Sequence, residues 1–512
     1  MTAAKISKSL ISDGSKKPGK VTKYIVWVVT ALIALYLILL IPFDDRISAP
    51  ASSERSQHTS FAWNQDAYWT ALEAKYRSLR QGGCTSSVRD LALKFQKVNN
   101  ILSKINKTQL SPDDPIFREL ENLVFDIGPI ASACNERVMD YIGMIAALRT
   151  VIKRRSVGWD MSSEAARDAL YRLLYGSRAA AEEVILQVPA GTVPMLTQGK
   201  DEPSQTPWAD IRGVRIHSGD ILVSRGGAPT SALISRGSDY PGNFSHIALV
   251  FVDAYTHTAS IIEALIERGV VVSTVDHYLK DKKLRVMLLR PRADLPDIQK
   301  DPLIPHKAAL LAYTNATKKH IPYDFEMNYS DHSKLFCSEV ASAAYEHFGI
   351  KLWMGISHIS SPGLQRWLSG FGVRYFETQE PSDLEYDPQL TVVGEWRDPE
   401  TLKKDHYDNA VTDVLLEGAD KGDKLRYQRY LLPFARIAKA YSAILNFLGK
   451  TGPVPEGMSS TAALRNIWYS NKHDAIVARL ASKAARFRAE RGYEPPYWEL
   501  VKMARSAKEE LE

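Results

Sequence analysis

Two residues of complementary chemistry stand 91 positions apart in this chain of 512 residues. Cys337 lies in Lys334-Leu335-Phe336-Cys337-Ser338-Glu339-Val340, and the apolar spacing of Val340, Ala344 and Phe348 starts a helix at the cysteine. His246 heads the apolar strand pattern Ser245-His246-Ile247-Ala248-Leu249-Val250. A thiol is a weak nucleophile until it ionises, and a helix N-terminus and a neighbouring imidazole both favour the thiolate. The next strand pattern contains Ile261-Ile262-Glu263-Ala264, and the short segment Ala254 to Thr258 between the two predicts an antiparallel hairpin. A register that sets Glu263 directly opposite His246 puts both on one face, where the carboxylate would orient the imidazole. A one-residue slip would turn Glu263 away, so this register is an expectation to be tested.

Other candidates are weaker. Tyr323 follows the rigid Pro322, and its phenol could donate to a developing oxyanion; the backbone N–H of Cys337 is the stronger donor candidate. His332 sits in the polar loop Ser330-Asp331-His332-Ser333 and reads as a surface residue, and Asp220 reads as a turn residue. His277 and His358 have no partner pattern, and no metal-ligand spacing occurs. Neither a metal nor a cofactor is expected.

The elements that must position these residues follow from length and patterning. The chain is too long for one compact domain, and its 45% apolar and 24% charged content is that of ordinary globular protein. The net charge of +6 owes much to Lys5, Lys8, Lys16, Lys17, Lys20 and Lys23, so no nucleic-acid partner is expected of the bulk of the chain. Residues 24–43 carry no charge and predict a transmembrane helix of about 30 Å. The lysines before it and Asp44-Asp45 after it predict a single-pass anchor with residues 1–23 in the cytoplasm and the rest outside; a signal peptide cleaved at Ala49-Pro50-Ala51 is the alternative. A linker at 44–60 then leads to a helical domain over 61–188. A Pro/Gly-rich linker at 189–211 precedes a domain over 212–396, and a C-terminal helical region fills 397–512. Grouped strands followed by helices in 212–396 predict an α+β fold. Cys84 and Cys134 could pair in an oxidising compartment and leave Cys337 free; two unpaired buried thiols are the alternative.

The stretch from Gly219 to about Leu368 resembles the permuted papain-like cysteine hydrolases, the YiiX/YebB-like branch of the NlpC/P60 superfamily. Gly219-Asp220-Ile221-Leu222, Phe244 to Val250, Ile262-Glu263-Ala264 with Gly269-Val270, Pro322-Tyr323-Asp324, Phe336 to Val340 and Ser361-Pro362 carry the resemblance, with histidine before cysteine. It implies Cys337 as nucleophile, His246 as base, Glu263 as orienting residue and Tyr323 beside the site. With the expected topology it implies an enzyme of the bacterial inner membrane whose catalytic domain is periplasmic. The expected activity is cleavage of an amide or ester bond through an acyl-enzyme, with a cell-wall peptide as leading substrate. A lipid-directed acyl hydrolase or acyltransferase is the alternative. A third reading, from a different class, is an anchored interaction protein with an inactive hydrolase domain, whose helical regions dock a protein partner.

Overall fold

The computed structural model describes residues 20–42, 58–84, 87–448 and 450–512. The expected cytoplasmic tail up to residue 19 and the expected linker up to residue 57 lie outside the described residues. The first helix, α1 (Lys20–Leu39), begins earlier and ends sooner than the uncharged run. Lys20 and Lys23 occupy its first turn, and a turn at Leu40 stops it before Pro42. The uninterrupted uncharged run within the helix is the sixteen residues from Tyr24 to Leu39. At about 1.5 Å per residue they reach about 24 Å, short of a hydrocarbon core of about 30 Å. Among the described residues no helix is long and apolar enough to cross a membrane, which corrects the transmembrane segment expected over 24–43.

A helical bundle follows: α2 (Asp66–Gly82), α3 (Val88–Lys107), α4 (Pro115–Ala133), α5 (Val138–Arg155), α6 (Glu164–Leu170) and α7 (Gly176–Gln187). Asp114 and Ser163 cap α4 and α6 by accepting from the backbone N–H of Ile116 and Ala166. Leu91, Val98, Leu120, Ile127, Tyr141 and Leu148 are among the side chains that fill the bundle core. Cys84 and Cys134 form a disulfide across it, and Cys337 is the free cysteine.

The chain then builds a mixed α/β unit. Its first strands are β1 (Leu196–Gln198), β2 (Trp208–Ile211), β3 (Val214–His217) and β4 (Ile221–Gly226), so the segment read as a linker over 189–211 carries two short strands. Next come α8 (Pro229–Arg236), β5 (His246–Val252), β6 (Ala259–Leu265), β7 (Gly269–Thr274), α9 (Val275–Lys280) and β8 (Lys283–Pro291). Helices α10 (Pro296–Lys300), α11 (Ile304–Lys318) and α12 (Cys337–Glu346) lead to β9 (Ser357–His358), α13 (Pro362–Phe371), β10 (Glu377–Thr378), α14 (Asp383–Tyr386) and β11 (Leu390–Arg397).

Seven strands form one antiparallel sheet in the order β1-β11-β8-β4-β5-β6-β7. The alternation of side chains along each strand gives the sheet two apolar faces. Ile221, Val223, Ile247 and Leu249 pack with Ala308 of α11 and Ala341 of α12. Leu222, Ala248 and Val250 pack with Val214 and Ile216 of β3 and Tyr278 of α9. Helices α15 (Pro399–Asp420), α16 (Leu432–Phe447), α17 (Ser460–Arg491) and α18 (Tyr497–Glu509) complete the chain; Val411, Leu415, Ile476, Leu480 and Leu500 belong to a core shared by α15, α17 and α18.

A buried charge network joins bundle, sheet and C-terminal helices. Arg178 of α7 donates to both carboxylate oxygens of Glu385 at 2.5 and 2.9 Å and to Glu182 at 2.9 Å. Glu182 also accepts from Arg285 of β8, which reaches Asp405 of α15 at 2.6 Å. Each of these groups is almost fully removed from solvent. Isolated charges at such depth would be prohibitive, and the mutual pairing makes their burial tolerable.

Candidate active site

Cys337 is the first residue of α12, and Phe336 before it is extended. The helix packs against β5 and α11, which fixes the sulfur at one end of the sheet. Glu339, in the third helical position, accepts a hydrogen bond from the Phe336 N–H at 3.0 Å and so secures the turn that presents the thiol. The strand-like segment before it is held in the same way: Leu335 donates its N–H to the Pro322 carbonyl at 3.0 Å, forming a bridge between Tyr323 and Leu335. This bridge brings Tyr323 beside Cys337. Gly269 makes the approach feasible from below. Its φ is +69°, a Cβ there would lie 2.1 Å from the Ile321 carbonyl oxygen, and Val270 donates its N–H to that oxygen at 2.9 Å.

His246 is the first residue of β5. Its Nε2 lies 2.8 Å from Glu263 Oε2, and Cys337 lies close enough to act on the imidazole. The other carboxylate oxygen of Glu263 accepts from Ser273 Oγ of β7 at 3.0 Å. The pairing differs from the expected one by two residues. Ala248, not His246, stands opposite Glu263. Asp253 sets the register by accepting from the N–H groups of Tyr255 and Thr256 in the turn, so that Val252 pairs with Ala259. A shift of two keeps Glu263 on the expected face, and its long side chain reaches His246 along the diagonal.

The electrostatics follow from burial and partners. Burial pushes the His246 pKa down, but the neighbouring Cys337 and Glu263 outweigh it and raise it to about 9. Burial pushes Glu263 up, and the hydrogen bond and charge of His246, with Lys283 and Ser273, bring it below the ordinary carboxylate value. The pair therefore favours imidazolium beside carboxylate at neutral pH, the state that stabilises a thiolate. Tyr323 is held well above the usual phenol range by burial and by the neighbouring Cys337. It stays protonated and can donate.

Two carboxyl groups near the sulfur were not singled out in the sequence. Glu339 is raised to about 9, first by burial and then by Asp324 and Cys337. Glu380 is raised well above its ordinary value by burial, Asp383 and Cys337. Glu339 carries the recognisable signature of an acid three residues after a helix start. Nothing local marks Glu380. Its loop is tied in by Ser382, whose Oγ accepts from the Phe244 N–H and donates to the Phe244 carbonyl, both at 3.0 Å. His332 is half-exposed, with Nδ1 3.5 Å from Glu339 Oε1. Asp220 is more than a turn residue: it accepts from the His217 N–H and is paired, buried, with Arg290 at 2.8 Å.

The helical regions reach the site from both sides. Arg178 donates to Asn243 Oδ1 at 3.1 Å and Tyr171 Oη donates to the Pro241 carbonyl at 2.6 Å, bracing the segment that leads into His246. From the C-terminal side, Gly457 packs so closely on Phe325 and the Tyr323 carbonyl that a Cβ there would lie 2.5 Å from the Phe325 ring. Among the described residues, the group of metal-type donors is Cys84, Cys134 and Glu136, and its two sulfurs are joined in the disulfide.

Residues 215–394 match the model of the permuted papain-like amidase family, YaeF/YiiX, C92. This stretch is a permuted papain-like amidase domain, and its enzyme class is cysteine hydrolase of the amidase or peptidase type. The match encloses Cys337, His246, Glu263 and Tyr323, and Glu380 as well. Among solved structures, the metalloprotein yiiX from Escherichia coli O157:H7 aligns at 18% identity over 34% of this chain and 95% of its own, with a TM-score of 0.28. No curated protein sequence matches the chain.

Proposed function

We propose that the protein hydrolyses an amide bond of a cell-wall peptide through Cys337 as nucleophile, His246 as base and Glu263 as orienting group. The observation that carries this reading is the run of hydrogen bonds from His246 to Glu263 to Ser273, with Cys337 beside the imidazole at the start of α12. The Cys337 thiolate attacks the carbonyl carbon and forms a C–S bond. The oxyanion is received by the Cys337 N–H at the start of α12 and by the Tyr323 phenol. His246 gives its proton to the leaving nitrogen as the C–N bond breaks. Water, deprotonated by His246, then attacks the thioester and releases the acid and the thiolate. The Cys84–Cys134 disulfide supports a location in an oxidising compartment outside the cytoplasm.

The test is a digest of purified muropeptides read by mass spectrometry, with Cys337→Ala as blank. Cleavage products that vanish in the blank support the proposal. Intact muropeptides together with released acyl groups from phospholipid would transfer the same chemistry to the lipid reading. A thiol-directed probe should label the wild type far more than His246→Ala, and equal labelling would sink the activated thiolate.

A further inference from the structure

Helix α16 is built unlike its neighbours. Of its sixteen residues, Leu432, Pro433 and Ser442 are buried. Phe434, Ile437, Tyr441, Ile444 and Leu448, spaced alternately by three and four, are each more than half exposed. That spacing sets them on one stripe of the helix, opposite Lys439. A stripe of this size on the surface of a folded protein marks a contact with something else.

Two further observations identify the contact. The first is charge. From Leu425 to Pro455 the sequence holds Arg426, Arg429, Arg436, Lys439 and Lys450 and no acidic residue, within a chain whose whole net charge is +6. The second is continuity. The C-terminal end of α1 lies against α16: the Tyr36 and Phe434 rings meet at 6.4 Å, Tyr36 Oη donates to the Tyr430 carbonyl at 3.1 Å, and Arg436 donates to the Leu39 carbonyl at 2.9 Å. Trp27, Leu32 and Leu35 of α1 are likewise more than half exposed.

We infer that α16, with α1 beside it, is a docking surface for an anionic lipid bilayer. The helix lies in the plane of the interface, its apolar stripe sunk among the acyl chains and the exposed Arg426, Arg429 and Lys450 of its flanking segments at the level of the headgroups. Helices that lie on membranes combine these same two faces, and Tyr430 and Tyr441 suit the boundary with their apolar rings and polar tips. The surface connects to the segment beside the candidate active site. The segment from Pro453 to Met458 leaves α16, is held by Lys439 at the Pro455 carbonyl (2.7 Å) and the Glu456 carbonyl, and packs on Phe325 next to Tyr323. Docking therefore bears on the segment that carries Phe325 and Tyr323. The inference stands on surface residues alone and is independent of the reaction assigned to Cys337.

The test is sedimentation of the full chain with phosphatidylglycerol–phosphatidylcholine vesicles and with pure phosphatidylcholine vesicles. The wild type should partition onto the anionic vesicles, more weakly as salt rises. The exposed double variant Phe434→Glu/Ile444→Glu should bind at least roughly tenfold less. The triple variant Arg426→Gln/Arg429→Gln/Lys450→Gln should lose the preference for anionic lipid. Wild-type near-ultraviolet circular dichroism and Cys337 labelling establish that the variants are folded. Failure of the folded wild type to bind anionic vesicles overturns the inference, as does unchanged binding of the double variant. A dimer seen by light scattering that forms through α16 and persists with vesicles present also overturns it, because the occupant is then a second copy.

Discussion

Replacing Glu263 by Gln should move the titration of His246. The substitution keeps the size of the side chain and a hydrogen-bonding oxygen while removing the charge. His246 holds a pKa of about 9 against an ordinary 6.5, with Glu263 at 2.8 Å and nearly out of solvent. A hydrogen bond to a charged group contributes about 1.5–3 kcal/mol. At about 1.4 kcal/mol per pKa unit, loss of that charge lowers the midpoint by about one to two units. Carbon NMR of protein labelled at histidine, with His246→Gln to assign the signal, reads this directly. Because His246 is raised, its stabilising contribution is fully present below 6.5 and is lost as pH rises through about 9; the variant should lose it earlier. Cys337 is the free cysteine, so its alkylation by iodoacetamide gives a second readout, expected to slow in the variant near neutral pH. A midpoint that stays within about half a unit of wild type would show that Glu263 does not sustain the imidazolium.

Three other outcomes follow from the same structure. Glu182→Ala leaves Arg178 and Arg285 buried with a missing partner and should cost about 3–5 kcal/mol in urea unfolding; a loss below about 1 kcal/mol would mean that water replaces the carboxylate. The disulfide closes a loop with a sequence separation of 50, for which chain entropy gives about 4 kcal/mol, so reductant should lower the thermal midpoint of wild type and leave Cys84→Ser/Cys134→Ser unchanged. Glu339 keeps its proton in the fold up to about 9, whereas the unfolded chain gives it up near 4.5, so its burial destabilises the protein increasingly across that window. Glu339→Gln should therefore raise the urea midpoint at about pH 8 and leave it nearly unchanged at about pH 4, and a variant no more stable than wild type at the higher pH refutes the buried-proton account.

The elements of the site are written locally. The apolar spacing after Cys337 starts α12, and the alternation after His246 and around Glu263 makes β5 and β6, because period-3.6 and period-2 patterns need only their own neighbours to be read. The uncharged run at 24–43 was legible as a helix. Its length as a membrane span was not, since the helix takes in two lysines and stops at Leu39. Register, depth and partnership were decided by the tertiary structure. The turn at Asp253 offsets the β5–β6 pairing by two residues, and only the diagonal reach of Glu263 closes the contact with His246. Glu380 comes under the electrostatic influence of Cys337 from 43 positions further on, and Arg178 meets Glu385 across 207. Contacts at such separations depend on which surfaces pack together, and no window of sequence carries that information. The sequence thus determined which groups can do the chemistry, and packing decided which of them touch and what charge they hold.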